Sequence, residues 1–314
     1  MPGGTGGSSI LDASSASVTF TALETVSATQ DYDRLVPAPP RKLAERFLAA
    51  VEERQRFVAQ TSPSTKIAQR GLHLEYRTLV VAGRALPSIR DAGFRVFSQF
   101  DEDGIILLLL AATGMSSRRF IDLGAGDGAY ASNCANLAFN LGYDGLFVEA
   151  DPAFVERGER IYGRHQDTRY RPPVFRRAVV GRDNVNDLLE DAGYTGAVDV
   201  LSIDIDGNDY WVWQAIERVT PAIVVIETHP SLGTGDVVTP YDERELVPAF
   251  PGAPPIGASP TAMTRLAREL GYRLVGWNRF GFNLFYVRED LAADALPTLE
   301  VRNLLASAGA DSPA

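Results

Sequence analysis

The 314 residues are 45% hydrophobic and 22% charged, ordinary globular proportions that suffice for one large α/β domain with additions. A formal net charge of -10 excludes a protein built to grip nucleic-acid phosphates, which needs clustered Lys and Arg, and points to a small-molecule partner. The longest apolar run, Ile105 to Ala112, falls far short of the ~20 residues of a membrane helix, so no membrane partner is expected. The N-terminus lacks the basic-then-apolar pattern of a secretory signal, and Cys134, the single cysteine, fits a reducing cytoplasm.

Residues 1–40 are rich in Gly, Ser, Thr, Ala and Pro and read as a flexible arm. Residues 41–95 form a helical prelude, with Leu43, Phe47, Leu48 and Val51 at helical spacing and a second helix over Ser64 to Val81, interrupted by Pro63, Gly83 and Pro87. It packs on the core or supplies subunit contacts, and a homodimer is one arrangement it admits. Residues 96–290 hold the main domain. It opens with FRVFSQFDEDG (Phe94 to Gly104), whose acids Asp101, Glu102 and Asp103 favour the positive end of the apolar helix Ile105 to Thr113.

Arg119 to Asp151 reads strand, glycine turn, helix, strand: Phe120 to Leu123, then Gly124, Gly126 and Gly128, then Ala129 to Leu141, then Gly145 to Glu149. Such a unit suits a dinucleotide or S-adenosylmethionine. Asp122, Asp127 and the acids at 101–103 surround its mouth without a lysine. A pyrophosphate would be repelled there, whereas a sulfonium and an ammonium group gain roughly 4 kcal/mol per close charge pair in a partly dry cleft. The charge therefore points to the methyl donor. Gln99 and Glu102 are candidates for its methionine end, Asp122, Gly124, Gly126 and Asn133 for the turn, and Glu149 and Asp151 for the ribose hydroxyls.

The alternation continues with a helix over Pro152 to Tyr162, strand Val174 to Val180, helix Val185 to Ala192, strand Val198 to Ile205, helix Tyr210 to Arg218 and strand Ala222 to Glu227. After the helix Pro260 to Leu270, the runs Tyr272 to Trp277 and Asn283 to Val287 read as a hairpin. The expected fold is a Rossmann-like seven-stranded sheet with helices on both faces and one antiparallel strand. Residues 291–314 carry a final helix, Leu291 to Leu305, and a loose tail.

A second constellation follows the fourth strand in DVLSIDIDGNDYWVW (Asp199 to Trp213), where Asp204 and Asp206, read as alternate strand residues, share one side. The fifth strand ends in Glu227, Thr228 and His229. Asp204, Asp206 and Glu227 suit Mg²⁺, and the same groups, with His229 as a neutral base, could instead take a substrate proton directly. Ser231 to Ser259 is a long Pro/Gly loop of the kind used as a lid. Tyr210, Trp211, Tyr241 and Asp242 are the residues expected to face substrate.

The motifs SQFDEDGI, FIDLGAGDG, LFVEADP, VDVLSIDIDGNDYW, VVIETHP, ASPTAMTRL and GFNLFYVR, from about Phe97 to Asp290, resemble class I S-adenosylmethionine-dependent methyltransferases, and look closest to the FkbM-like bacterial enzymes. The resemblance implies that Gly124, Gly126 and Glu149 hold the donor and that a hydroxyl of a sugar or secondary metabolite accepts the methyl group. An N- or C-methyltransferase or a dinucleotide-dependent oxidoreductase is the alternative. Related metal-dependent sugar O-methyltransferases carry an Asp-x-Asp after the fourth strand, matched by Asp204 and Asp206. Their paired Asp after the fifth is replaced here by Glu227, Thr228 and His229.

Overall fold

The computed structural model describes residues 41–242 and 257–304. Residues divide into two compact units, Met1–Arg54 and Gln55–Ala314, and the fold that follows is that of the second. The arm over residues 1–40, the lid residues 243–256 and the tail from residue 305 lie outside the described residues. No helix among the described residues is long and apolar enough to cross a membrane.

One sheet contains β1 (Arg119–Leu123), β2 (Asp144–Glu149), β3 (Val174–Arg177), β4 (Gly196–Ile203), β5 (Val219–Glu227), β6 (Tyr272–Trp277) and β7 (Asn283–Arg288). The spatial order is β3-β2-β1-β4-β5-β7-β6. β7 runs antiparallel to both neighbours and every other pairing is parallel, so the expected seven strands with one reversed are present. The central strands are nearly continuous apolar runs because both faces are covered. Phe120, Phe147, Val200, Ile223 and Phe285 point to one face. Ile121, Leu146, Leu201, Val224 and Tyr286 point to the other.

The helices are α1 (Arg41–Gln60), α2 (Pro63–Val81), α3 (Ile89–Ala92), α4 (Glu102–Thr113), α5 (Ala135–Leu141), α6 (Pro152–Arg164), α7 (Val185–Asp191), α8 (Asp209–Ala215) and α9 (Pro260–Glu269). Leu107 of α4, Leu137 of α5 and Tyr162 of α6 join the first face. Leu189 of α7, Val212 of α8 and Leu266 of α9 join the second. α4 is buried along almost its whole length, which is why its sequence is apolar all round. The strand order reverses direction between β1 and β4, and the crevice at the carboxyl ends of these strands is where open α/β sheets bind ligands.

Three boundaries differ from expectation for local reasons. The helix expected from Ala129 begins at Ala135, because Asp127 accepts the Ala129 and Tyr130 N–H groups (3.0 and 2.7 Å) and Ser132 Oγ accepts those of Cys134 and Ala135 (3.2 and 3.1 Å). Short polar side chains thus outcompete the helix ladder. Pro63 starts α2 instead of interrupting it, since Ser62 caps Thr65 N–H and a first-turn proline lacks only a donor the helix does not use. The final helix over 291–305 is absent up to residue 300, and a single helical turn occupies 301–304. Pro297 cannot continue a helix, and Arg273 ties the segment down through the Leu291 and Leu296 carbonyls (2.7 and 2.6 Å).

Candidate active site

β1 ends in a turn whose geometry only glycine permits at its first position. Gly124 has φ +82, and a Cβ there would stand 1.7 Å from the Asp204 carbonyl oxygen, so the turn is pressed directly against the end of β4. Gly126 has φ +55, and a Cβ on it would meet nothing within 4 Å. That open side is room for a ligand. Glu149, the last residue of β2, accepts the Gly126 N–H through Oε2 (2.8 Å) and the Asp151 N–H through Oε1 (2.9 Å). A carboxylate has about four acceptor positions, so two remain for hydroxyl groups of a ligand. Asp122 lies below the turn, almost fully buried, and accepts from Ser132 Oγ (2.9 Å). Burial pushes its pKa up to about 6, Ser132 and Ser202 pull it back, and the Glu149 charge adds to the rise. Ser202 stands level with Asp122 on the adjacent strand.

The acid-rich mouth is built from fewer carboxylates than the sequence suggested. Glu102 is fully buried and accepts from the Phe100 N–H (2.8 Å), Asn278 Nδ2 (2.9 Å) and Asn283 Nδ2 (3.1 Å), so it fastens α4 to the β6–β7 turn. Asp103 holds the backbone N–H groups of Val96, Phe97 and Ser98 at 2.7–2.8 Å. Asp101 accepts the Arg279 N–H (3.0 Å), and Asp127, besides its capping role, pairs with Arg157 (3.0 Å). Asp151 is exposed and caps α6 through Ala153 N–H (2.7 Å). Asn133 is buried and donates to Ser202 Oγ (3.2 Å), and Gln99 is exposed in a recess beside Phe100 and Phe280. The negative field at the crevice comes instead from Glu149 and Asp122.

Asp204, Asp206 and Glu227 each bring one carboxylate oxygen to within 4.8 Å of the others. They do not meet by strand alternation, since β4 stops at Ile203. Asp206 is in the left-handed region at φ 55, which Asp tolerates better than most residues. Asp209, buried, holds that turn by accepting the Ile205 N–H through Oδ1 and the Gly207 N–H through Oδ2, both at 2.9 Å. Burial and the charges of Glu227, Asp209 and Asp206 push the Asp204 pKa far above the usual range. Burial, with Asp209 and Asp206, pushes Glu227 up to about 8, and a hydrogen bond from Asp204 partly offsets this. At neutral pH the two carboxyl groups therefore share at least one proton.

The backbone N–H of His229 donates to the Ala258 carbonyl (2.9 Å), and the His229 ring packs so closely on Gly257 that a Cβ there would stand 2.9 Å from Cδ2. Burial lowers its pKa, partly offset by the charges of Asp209 and Asp206, so the imidazole is neutral at pH 7. Tyr210 is buried with its hydroxyl beside the Arg265 guanidinium (3.2 Å). Trp211 Nε1 donates to Thr239 O (2.9 Å) and Asn208 Nδ2 to Asp242 O (2.6 Å), so the described start of the lid is fastened to the β4–α8 turn. Tyr241 is half-buried under the Arg182 guanidinium, 4.1 Å from its ring centre. Sequence reasoning missed Ser132, Ser202 and Gly257. Ser132 and Ser202 were readable only with the register of β1 against β4, and Gly257 had no local signal.

The strand order, the single reversed strand and the glycine turn at the β1 end define the Rossmann-like class I methyltransferase fold. No family model matches the sequence, and no curated protein matches it. Among solved structures, the chain is similar to the magnesium protoporphyrin IX methyltransferase of Synechocystis PCC 6803 with bound SAH, at 14% identity over 60% of this chain and 81% of that one, TM-score 0.39. It is also similar to the N-terminal domain of EvdMO1 with SAH bound (16% identity, 70% and 95% covered, TM-score 0.41). A third likeness is to a TehB-like SAM-dependent methyltransferase from Corynebacterium glutamicum (14% identity, 71% and 98% covered, TM-score 0.34). Such values carry no conclusion about the reaction of this chain.

Proposed function

We propose that the chain is an S-adenosylmethionine-dependent methyltransferase that methylates a hydroxyl of a small molecule, such as a sugar or secondary metabolite, in the manner of the FkbM-like bacterial enzymes. The supporting observation is Glu149, whose carboxylate spans the Gly126 and Asp151 N–H groups at the open side of the glycine turn and keeps acceptor positions free for two ribose hydroxyls. Glu149 and Asp122 place negative charge beside the same turn, which suits a sulfonium and an ammonium group and opposes a pyrophosphate.

In the reaction the acceptor oxygen forms a bond to the methyl carbon as the carbon–sulfur bond breaks, and the electron pair leaves with sulfur, which becomes a neutral thioether. The hydroxyl proton must go to a base on the protein. Asp204 and Glu227 share at least one proton at neutral pH, and a cation bound beside them would favour the ionised form and leave a carboxylate to act. Asp204, Asp206 and Glu227 fit a hard divalent cation such as Mg²⁺, which when bound would lower the pKa of the acceptor hydroxyl. Neutral His229 offers a metal-free route for the same proton.

Incubation with methyl-labelled donor and a panel of glycosides, phenols and amines tests the reading. Label on oxygen supports it, and label confined to nitrogen or carbon overturns the oxygen assignment. Chelator that abolishes transfer, with recovery on added Mg²⁺, assigns the cation. Transfer indifferent to chelator but slowed in His229→Ala assigns the imidazole.

A further inference from the structure

The β6–β7 turn, residues 278–282, lies at the carboxyl end of the parallel strands. It is tied to the end of β5 by the Thr228 N–H, which donates to the Phe282 carbonyl (2.7 Å), and to α4 by Asn278. Its outer side faces α3 and the segment leading to α4 across a recess of about 670 Å³ lined by Arg90, Arg95, Gln99, Phe100, Arg279 and Phe280, with Asp91 and Asp101 also in the wall. Arg90, Asp101 and Arg279 also border an adjoining, mainly apolar cavity of about 390 Å³, whose wall includes Leu86, Ile89, Trp277, Leu296 and Leu299.

Two features of the larger recess are unusual for a chain of net charge -10. Three arginines outnumber two aspartates, and Arg95 and Arg279 have no carboxylate within ion-pair distance among the described residues. Each aspartate already has an oxygen engaged: Asp91 with the Ser88 hydroxyl (2.7 Å) and Asp101 with the Arg279 N–H (3.0 Å). Phe280 is 47% exposed although its ring packs 4.4 Å from that of Phe100, centre to centre, so apolar ring surface stays open with the Arg279 guanidinium 5.8 Å from its centre. Guanidinium groups next to a flat apolar surface match an anion carried on a ring.

We propose that this recess is the acceptor subsite and that the methyl acceptor carries a carboxylate or phosphate on a flat-faced ring, its anionic group held by Arg95 and Arg279 and its ring against Phe280. The proposal rests on the methyltransferase reading. It divides the charges of the two reactants: the cationic donor lies beside Glu149 and Asp122, where an anion would be repelled, and the anionic end of the acceptor lies at the arginines.

Binding is measured by calorimetry without donor, and transfer with labelled donor, for 4-coumarate against its methyl ester and for glucose 6-phosphate against glucose. The expected result is that at least one anionic probe binds at or below millimolar concentration, about tenfold or more tighter than its neutral partner. The favoured pair tells carboxylate from phosphate. Arg279→Gln should raise KM for that probe about tenfold with kcat and SAH affinity unchanged, and Phe280→Ala, on an exposed turn, should raise KM for charged and neutral probes alike. Equal binding of charged and neutral partners, or no binding of either anion, overturns the proposal. Weakened SAH binding in Arg279→Gln also overturns it, because the arginine would then serve the donor's carboxylate. SAH that fails to bind the unaltered protein defeats the methyltransferase reading instead, and the donor-free calorimetry still decides whether the recess takes anions.

Discussion

The ends of β2 and β4 both present carboxylates to the same crevice, yet they treat charge in opposite ways. Glu149 is anchored by two backbone N–H groups, so its charge is supported by the fold before any ligand arrives. Asp204, Asp206 and Glu227 face one another with no arginine or lysine ion-paired to them among the described residues, and burial together with mutual repulsion pushes the pKa values of Asp204 and Glu227 up. The first arrangement is a ready-made acceptor of hydrogen bonds. The second is a set of groups whose ionisation waits for a cation. Carboxyl groups held this close, Asp206 exposed and Asp204 and Glu227 half-buried, mark a site shaped for chemistry more than for stability.

The comparison breaks most severely at Gly124, which joins the two regions. Gly124→Ala drives a methyl group into the Asp204 carbonyl and forces Ala to φ +82, so it should destabilise by roughly 3 kcal/mol or more, read as a large fall in Tm. A variant of unchanged Tm would mean that the turn does not press on β4. Next in size, Asp204→Asn should slow methyl transfer by about 100-fold while leaving SAH affinity within about twofold and stability unchanged or raised. Loss of stability instead would show that the carboxylate supports the fold.

How far these residues could be read from sequence depended on whether the information was local. The βα alternation, the glycine turn and the reversed hairpin were legible because periodicity and turn chemistry act within a few residues. Glu149 was legible as the last residue of an apolar run. The acids at 101–103 and Asp127 looked like a charged mouth, but their oxygens are bound to nearby backbone N–H groups and to the remote Asn278, Asn283, Arg279 and Arg157. Asp206 reaches its neighbours through a left-handed turn clamped by Asp209, not through strand alternation, so sequence periodicity did not account for the cluster. No sequence pattern shows that Arg265 of α9 lies beside the Tyr210 hydroxyl.

A smaller effect sharpens the contrast through pH. Glu227 has a folded pKa raised to about 8 from an ordinary 4.5, so between these values the folded chain binds more protons than the unfolded one and stability falls as pH rises. Tm should therefore decline by several degrees from about pH 5 to about pH 9. Glu227→Gln should flatten that decline, and an identical slope in the variant would place the titrating groups elsewhere, at Asp122 or Asp103, whose pKa values of about 6 act in the same direction.

The donor site can be tested most directly by titration calorimetry of SAH into the unaltered protein and into Glu149→Ala. The expected result is one site per chain, no heat from NAD, and an affinity about 10- to 100-fold weaker in the variant, as loss of hydrogen bonds to a charged acceptor implies. Binding of NAD in preference to SAH, or equal SAH affinity in the two proteins, would contradict the assignment of Glu149 and the glycine turn to a methyl donor.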